Sequence, residues 1–255
     1  MHASSGDVDR CRTDGGAGAY RAWKSWAPEG FGAVQAEDAA SYELELRRSG
    51  VPMDRKLRVL ELGFGNGSFA SWVRSRGWPY MGTELDPELV SRARQHGVEA
   101  HQAGVVSLAS IAHGRAFDLI VAFDVLEHMT IREIEQLLTE LRGVLVRDGR
   151  VVARFPSGDS PFSRAIQHGD LTHQSIIGSG IITQLALQTG FRVAQVRACS
   201  LPIFGLGFRR AARRLGIRVA RVLITRFVNA AFNDNQARVV EPNMLVVLTP
   251  CESLT

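Results

Sequence analysis

From about residue 52 onward, short apolar runs rich in β-branched residues alternate with longer segments of helical periodicity. The first and fourth runs are apolar at most positions, as expected of strands buried on both faces of a parallel sheet. The pattern predicts strands at Leu57–Leu62, Pro79–Glu84, Val98–Gln102, Phe117–Phe123, Arg150–Phe155, Phe191–Ala198 and Met244–Leu248. It predicts helices at Ser68–Arg76, Pro87–His96, Ile131–Val146 (ended by Asp148-Gly149) and Ile181–Gln188. This alternation predicts an α/β fold with ligands beyond the carboxyl ends of the strands.

The first 50 residues differ from this pattern. Residues 1–19 are rich in Gly, Ser and Asp without periodicity, so we predict a disordered N-terminal tail. We predict a helical cap over residues 20–50, which either packs on the main domain or covers a ligand site. Four aromatic residues lie in its first part: Tyr20, Trp23, Trp26 and Phe31. A chain of 255 residues with 45% apolar content predicts one domain over residues 20–255.

Composition indicates where the protein is located, the state of its cysteines and how its charge should be interpreted. The N-terminus lacks the apolar core of a signal peptide, and no window reaches the ~18 apolar residues of a membrane span, which predicts a cytoplasmic protein. Cys11, Cys199 and Cys251 are far apart and include no CxxC pair, so we predict free thiols and no metal site. The formal net charge is +4, and since nearly all basic residues are Arg, only local clusters indicate a partner.

A glycine-rich turn follows the first strand in the stretch VLELGFGNGSF. Gly63, Gly65 and Gly67 stand between a strand and a helix, where backbone N–H groups can meet a ligand without a Cβ in the way. The spacing is G-x-G-x-G, and Ser68 stands where a dinucleotide fingerprint has its third glycine. An NAD-dependent oxidoreductase is therefore disfavoured.

Two acidic residues accompany this turn, each at the end of a strand. Glu61 would repel a pyrophosphate but suits a ligand that carries a positive charge. Glu84, in the stretch GTELDPELV, is placed to accept hydrogen bonds from the two hydroxyls of a ribose. The turn and the two acids together are a strong signal, whereas a glycine turn alone is a weak one.

The segments VLELGFGNGSF, GTELDPELV and AFDLIVAFDVLEHM resemble the first, second and fourth strand motifs of class I S-adenosylmethionine-dependent methyltransferases. The resemblance extends in order over residues 57–249. It implies a Rossmann-like three-layer fold with a mostly parallel seven-stranded sheet in the order 3-2-1-4-5-7-6, strand 7 antiparallel. It also implies a helical insert, residues 201–238, before the last strand, and S-adenosyl-L-methionine as the cofactor.

The same resemblance implies which residues bind the cofactor. They are Glu61, Gly63, Phe64, Gly65, Gly67, Glu84, Leu85, Val105, Asp124 and Val125. The first acid and the glycine loop would hold the methionine part, the second acid the ribose, and Leu85 the adenine, with Asp124 near the sulfonium end. Many members carry an adenine-binding acid after the third strand, where this chain has Ala103-Gly104-Val105-Val106, so backbone groups near Val105 would take that role.

Candidate catalytic residues lie after the fourth and fifth strands. Methyl transfer requires mainly that a nucleophile be aligned and water excluded, and a hydroxyl acceptor gains about 10²–10⁴-fold from a general base. His128 follows the fourth strand, where a structural or capping role is at least as well supported as catalysis. His168, Asp170 and His173 follow the fifth strand, and a histidine oriented by a carboxylate is typical of such a base. Exposed histidines beside a turn capped by Asp170 are the alternative.

The second half of the chain carries a narrower resemblance. The stretches GDLTH, QTGF and LPIFGLGFRRAARRL are similar to methyltransferases of bacterial surface-polysaccharide and lipopolysaccharide pathways, whose pattern H-G/Y-G-D-x-T-H matches at His168, Asp170 and His173. The implied reaction is O-methylation of a sugar hydroxyl on a nucleotide-linked or lipid-linked glycan. A lipophilic phenolic or isoprenoid acceptor is the alternative. It predicts an apolar pocket lined by Trp23 and Trp26, whereas a glycan predicts a polar groove with arginines.

Residues 206–227 predict a basic amphipathic helix within the insert. Arginines occupy much of its surface, and one apolar face follows 3–4 spacing: Phe208, Ala212, Leu215, Val219, Val222 and Leu223. Such a helix can lie on an anionic membrane surface or bind phosphate. A helix docked on the domain with a solvated polar face is the alternative. Ile217 and Ile224 on the polar side weaken the membrane interpretation and are compatible with a partner subunit, as in a homodimer. Nucleic-acid binding is not expected, because the basic residues occupy one insert.

Overall fold

A seven-stranded sheet forms the centre of the computed structural model, which describes residues 17–103, 108–203, 207–234 and 236–251. Its strands are β1 (Val59–Leu62), β2 (Tyr80–Glu84), β3 (Ala100–Gln102), β4 (Phe117–Phe123), β5 (Leu145–Pro156), β6 (Phe191–Ala198) and β7 (Asn243–Pro250). Their order is β3-β2-β1-β4-β5-β7-β6. The first five strands pair in parallel, and β7 is antiparallel to both of its neighbours. This confirms the predicted fold class and strand order.

The helices connect these strands and supply the cap. They are α1 (Ala17–Trp23), α2 (Ala36–Arg48), α3 (Ser68–Ser75), α4 (Pro87–Gln95), α5 (Leu108–Ala112), α6 (Ile131–Val144), α7 (Arg164–Gln167), α8 (Ser179–Gln188) and α9 (Phe208–Phe232). Single 3₁₀ turns occur at Pro28–Gly30 and Leu126–His128. The helical insert before the last strand is confirmed as α9, a single helix of 25 residues.

Local sequence signals set where the helices near the sheet edge begin. The Asp86 carboxylate caps α4 by accepting hydrogen bonds from the backbone N–H groups of Glu88 and Leu89. Thr130 and Glu133 form a reciprocal capping box at the start of α6. These caps fix the starts of α4 and α6, and so they help to position the segments that connect β2 to α4 and β4 to α6.

The sheet separates two apolar cores, because successive side chains of a strand point to opposite faces. In β4, Ile120 packs in the core that contains Phe155 and Phe191, whereas Leu119 packs in the core that contains Leu46. All five side chains are at most 1% exposed. The two cores hold the strands rigidly, so the loops at the carboxyl edge extend from a fixed scaffold.

Most predicted boundaries shift by one or two residues, and larger differences occur at β5, in the N-terminal segment and at α5. Helix α6 ends at Val144 rather than residue 146, and β5 begins at once and runs through Asp148-Gly149. Between Phe117 and Leu119, β4 advances two residues while its partner residues on β5 advance from Leu145 to Arg150, so the turn signal produces a bulge. Helix α1 begins inside the segment predicted as tail, and residues 1–16 lie outside the described part of the chain. Helix α5 was not expected.

Candidate active site

A cavity of about 740 Å³ opens at the carboxyl ends of β1, β2 and β4. Its walls come from three separate parts of the chain: the cap, the segment from the first strand to α6, and the loop after β5. The lining residues are Ala17, Tyr20, Trp26, Leu62, Gly63, Thr83, Glu84, Leu85, Asp86, Pro87, Leu89, Ala103, Leu108, Asp124, Val125, His128, Met129, Leu137, Leu171, Thr172 and Gln174. The cavity lies where ligands of open parallel sheets bind.

Gly63 allows the loops after β1 and β4 to approach one another. Its φ is +62°, and its N–H donates to the carbonyl oxygen of Thr83 at 2.8 Å. A Cβ at this position would lie 2.8 Å from Cγ2 of Val125, closer than side-chain packing tolerates. Gly63 and Val125, both predicted to bind the cofactor, therefore meet at the floor of the cavity.

The other two glycines of the loop are required by the cap. A Cβ on Gly65 would lie 2.8 Å from the ring of Trp26, and one on Gly67 would lie 2.5 Å from the ring of Phe31. Phe64 points away from the cavity and is buried, with its ring 6.4 Å from that of Phe31. Gly65, Gly67 and Phe64, all predicted to bind a cofactor, thus contact the aromatic cap and are not among the residues that line the cavity.

Glu84 faces the cavity at the end of β2. Its carboxylate accepts hydrogen bonds from the backbone N–H groups of Gly65 at 3.0 Å, Leu85 at 2.7 Å and Asp86 at 3.2 Å. Burial raises its pKa above the ordinary value, although these hydrogen bonds oppose the shift. About four acceptor sites exist on a carboxylate, so one remains for a ligand. The neighbouring Leu85 side chain is 70% exposed and offers an apolar surface at the same wall.

Glu61 lies one layer deeper than Glu84. Its side chain is buried and accepts a hydrogen bond of 2.6 Å from the hydroxyl of Tyr80. Burial raises the pKa of Glu61 to about 8, and the negative charge of Glu84 adds to the effect. A cation bound nearby would reverse this shift, because it favours the ionised form. The position therefore suits a positively charged ligand group.

Asp124 ends β4 in a strained backbone conformation. Its φ is +57°, a value that Asp adopts more readily than most residues. Both of its carboxylate oxygens accept hydrogen bonds from Arg154 of the neighbouring strand β5, including one of 2.9 Å from Nε. The residue lines the cavity, as expected, while the ion pair fixes its orientation. Val105, the remaining predicted cofactor residue, lies outside the described residues.

His128, Thr172 and Asp170 form a continuous series of hydrogen bonds at the opposite end of the cavity. The Thr172 hydroxyl donates to Oδ1 of Asp170 at 2.6 Å, and Nδ1 of His128 lies 2.8 Å from the same hydroxyl oxygen. Burial alone would raise the pKa of Asp170, but the hydrogen bonds from Thr172 outweigh it and hold the pKa below its usual range. Because the only hydroxyl proton points to an ionised carboxylate, Nδ1 of His128 must be the donor to Thr172. Nε2 is then the nitrogen with a free lone pair.

The second imidazole, His173, is buried beside the first. The two ring centroids are 4.8 Å apart in an edge-to-face arrangement. Nδ1 of His173 donates to the carbonyl oxygen of Gln167 at 3.0 Å, and Nε2 lies 3.8 Å from Oδ2 of Asp170. Burial, followed by the proximity of His173, lowers the pKa of His128 below 6.5. His128 is therefore neutral at neutral pH.

His168 does not join this cluster. It follows α7, its side chain is exposed, and it is not among the residues that line the cavity. Of the three residues that match the sequence pattern, Asp170 and His173 lie beside His128, and His168 lies apart from them. His128, for which a structural role was at least as well supported, takes the place nearest the cavity.

Three residues of the cap and the β4 loop were not anticipated at this end. Tyr20 packs its ring edge-on against His128 at 6.2 Å, and burial, with the charge of Asp170, raises its pKa. Lys24 Nζ lies 3.7 Å from Oδ2 of Asp170. Glu127 is 2% exposed, and its Oε2 has no hydrogen-bond partner among the described residues. Nothing in the spacing of the cap predicts these contacts, since they join segments more than 100 residues apart.

Glu127 also belongs to a group that could hold a metal ion. One ligand atom each from Glu127, His128 and His173 lies within 4.8 Å of the others. A cation bound there through Nε2 of His128 would occupy the lone pair described above. Metal ligation and proton acceptance by His128 therefore exclude one another.

Comparison with known proteins agrees with this geometry. Residues 60–153, from β1 into β5, match the family model described as "Methyltransferase domain". No curated protein sequence matches the chain significantly. A SAM-dependent methyltransferase from Archaeoglobus fulgidus superimposes with a TM-score of 0.56 at 14% identity, covering 82% of this chain and 93% of that one.

Two further solved structures share the fold over nearly the whole chain. A TehB-like SAM-dependent methyltransferase from Corynebacterium glutamicum gives a TM-score of 0.54 at 19% identity, covering 91% of this chain and 96% of that one. The magnesium protoporphyrin IX methyltransferase from Synechocystis, with bound SAH, gives 0.53 at 13% identity, covering 96% and 98%. At such identities the structures establish the fold alone. With the domain match, the chain contains a methyltransferase domain over residues 60–153, and the solved structures named here that share its fold are SAM-dependent methyltransferases or hold SAH.

Proposed function

We propose that this chain is an O-methyltransferase in which His128 accepts the proton of a hydroxyl acceptor. The observation that carries the proposal is the hydrogen-bond series from Asp170 through Thr172 to Nδ1 of His128. It leaves Nε2 unprotonated on a ring that lines the cavity. Transfer to a hydroxyl benefits from such a base, whereas transfer to an already ionised or strongly nucleophilic atom does not.

The residues around the deep end of the cavity fit S-adenosylmethionine. Glu84 offers its remaining acceptor site to a ribose hydroxyl, and Leu85 offers an apolar face to adenine. Glu61 is buried and does not itself line the cavity, so its proposed contribution is the charge of its carboxylate near the positively charged methionine part. When bound, the cofactor supplies a methyl carbon activated by a positive sulfur, and the residues of the chain do the rest of the work.

That work consists of alignment, exclusion of water and handling of one proton. Nε2 of His128 would take the hydroxyl proton as the acceptor oxygen bonds to the methyl carbon, and the bond between that carbon and sulfur would break to leave a neutral thioether. The Asp170 carboxylate, acting through Thr172, stabilises the imidazolium that results. Tyr20 stays protonated because its pKa is raised, so it serves as a hydrogen-bond donor and not as a second base. The aromatic cap limits the access of water from above.

For the acceptor, a sugar hydroxyl is the leading candidate. The loop 168–173 resembles that of methyltransferases for bacterial surface glycans, and Trp23 beside Lys24 is exposed at the outer side of the cap, where a sugar ring can stack. A lipophilic hydroxyl compound is a second candidate, favoured by a different observation. Trp26, Met129 and Leu171 line the cavity, and none of the lining residues within the described part of the chain is arginine.

The experiment that tests the proposal measures turnover with purified enzyme and S-adenosylmethionine on two acceptor panels. One contains nucleotide-linked and lipid-linked sugars, and the other contains phenols and isoprenoid alcohols. We expect a methyl ether as the product and a loss of kcat of about 10²–10⁴-fold in His128→Ala, with cofactor affinity unchanged. A product methylated on nitrogen, sulfur or carbon would contradict the proposal, as would full turnover in the variant.

A chelator distinguishes the base from a metal ligand. If His128 accepts the proton directly, treatment with EDTA followed by gel filtration leaves kcat unchanged. A loss of activity that Zn²⁺, Mn²⁺ or Mg²⁺ restores would instead assign Glu127, His128 and His173 to a metal ion and overturn the role given to His128.

A further inference from the structure

Helix α9 is the least buried element of the molecule. It is 25 residues long, so it spans about 37 Å, yet none of its residues is buried. Eight of its large apolar side chains are between 44% and 89% exposed: Phe208, Leu215, Val219, Val222, Leu223, Ile224, Phe227 and Phe232. Such a concentration of exposed apolar surface on one helix marks an interaction site.

The helix contacts the domain with the opposite side. The residues that are half-buried recur at 3–4 spacing: Ala211, Arg214, Ile217, Arg221, Thr225, Val228 and Asn229. Arg214 donates to the carbonyl oxygen of Pro202 at 2.6 Å and pairs with Glu37 of α2. Asn229 Nδ2 donates to the carbonyl oxygen of Arg238 at 3.2 Å. The docked side therefore mixes polar and apolar residues and is held by hydrogen bonds and an ion pair, while most of the large apolar side chains face outward.

This orientation reverses one of the alternatives that the sequence allowed. A helix docked through its apolar face would leave a solvated arginine face, but Leu215 and Leu223 are 53% and 60% exposed while Arg214 is held against the domain. Ile217, which the sequence placed on the polar side, is on the docked side. The apolar surface of α9 has no cover among the described residues.

Charge selects the partner for this surface. The segment Phe208–Phe232 contains no acidic residue and seven arginines. Arg214 and Arg221 lie on the docked side, so five remain for a partner: Arg209, Arg210, Arg213, Arg218 and Arg226. Two copies of the helix packed on each other would bring like charges together along their flanks. An anionic lipid surface pairs with those charges and receives the apolar face, since arginine side chains reach headgroups while their stems stay in the interface. No described helix is long and apolar enough to cross a membrane.

We propose that α9 lies in the plane of an anionic phospholipid surface, with Phe208, Leu215, Val219, Leu223 and Phe227 facing the acyl boundary. The helix then holds the protein on the membrane peripherally. This binding is independent of the acceptor proposed above, since it concerns the insert and not the cavity.

Vesicle co-sedimentation of the full chain tests the proposal. Vesicles of phosphatidylcholine alone are compared with vesicles containing 30% phosphatidylglycerol, each at low salt and at 0.5 M salt. The higher salt shortens the distance over which charges attract one another by about fourfold or more. We expect binding only to the anionic vesicles and a large loss of it at high salt. Absence of binding to anionic vesicles, or equal binding to both compositions, would overturn the proposal.

Variants distinguish the membrane from a second copy of the chain. Leu215→Ser/Leu223→Ser/Phe227→Ser should weaken vesicle affinity at least tenfold, and Arg209→Glu/Arg213→Glu should do the same. The matched control is Leu187→Ser, which removes an apolar side chain that is 65% exposed on α8, and it should bind like wild type. Cofactor binding by calorimetry checks that each variant is folded. If the triple variant instead dissolves a dimer and keeps its vesicle affinity, the surface is an interface between copies and the proposal is wrong.

Discussion

Substitution of Thr172 by Val tests whether the hydrogen-bond series sets the state of His128. Valine keeps the shape of the side chain but removes the hydroxyl that joins Nδ1 of His128, at 2.8 Å, to Oδ1 of Asp170, at 2.6 Å. The imidazole loses its link to a negative charge, and the tautomer with a free Nε2 is no longer enforced. The other contacts of Asp170, with the backbone N–H of residue 172 and with Lys24, persist.

The expected magnitude follows from the kind of bond that is lost. Hydrogen bonds to charged groups contribute about 1.5–3 kcal/mol. Because ~1.36 kcal/mol corresponds to a tenfold change in rate, kcat should fall by about 10–150-fold. This is smaller than the loss expected from removal of the base, since Thr172 positions His128 and does not itself touch the acceptor.

The assay is the rate of S-adenosylhomocysteine formation at saturating cofactor and acceptor. The dissociation constant of the cofactor should stay at the wild-type value, because Thr172 lies at the opposite end of the cavity from Glu84. Thr172→Ser retains a hydroxyl and should restore most of the activity. Thr189→Val is the control for loss of a buried hydroxyl, since Thr189 Oγ1 donates to the carbonyl oxygen of Leu185 at 2.7 Å in α8, remote from the site. Wild-type kcat in Thr172→Val, or an equal fall in Thr172→Ser, would refute the reasoning.

Three further predictions concern the cofactor end, the cap and pH. Glu84→Gln should weaken binding of S-adenosylmethionine by ~1.5–3 kcal/mol in calorimetry, because the ribose loses a charged acceptor, and an unchanged affinity would contradict that role. Gly65→Ala should lower the free energy of unfolding by at least ~1 kcal/mol more than Gly114→Ala. Both glycines have positive φ, but only at Gly65 would the new Cβ meet a ring, that of Trp26, so equal losses in denaturant titrations would exclude this contact. As the pH falls, kcat should begin to decrease only below pH 6.5, because the lowered pKa of His128 keeps its imidazole neutral down to that range. A decrease of kcat that begins at or above pH 6.5 would indicate another group.

Most of the fold was predictable because it rests on local patterns and on the alternation of apolar runs. The buried strands β1 and β4 are apolar at most positions, and the cap of α4 at Asp86 and Pro87 is readable from two adjacent residues. The predicted end of α6 was wrong. Asp148-Gly149 favours a change of chain direction both where a helix ends and where a strand contains a bulge. Only pairing with β4 shows that it forms a bulge inside β5.

Less of the site was predictable, for a physical reason that the glycine loop illustrates. A run of glycines indicates a close approach but not what approaches: at Gly63 it is Val125, and at Gly65 and Gly67 it is the aromatic cap. The orientation of α9 could not be predicted for the same reason. The spacing of apolar residues along a helix shows which residues share a face, but not which face packs on the domain. Contacts between distant segments decided both cases.

The walls of the cavity come partly from the segment that matches a known domain and partly from segments outside it. The segment that matches a known methyltransferase domain ends at residue 153, and it contributes Glu84, Asp124 and His128. The cap with Tyr20 and Trp26, and the loop with Thr172, lie outside that segment. On the proposed function, mutations in the outer segments would alter which molecule is methylated, while Glu84 and Asp124, proposed to hold the cofactor, stay in place. Selection on the two can proceed at different rates, and a lineage can change its substrate without having to evolve a new reaction.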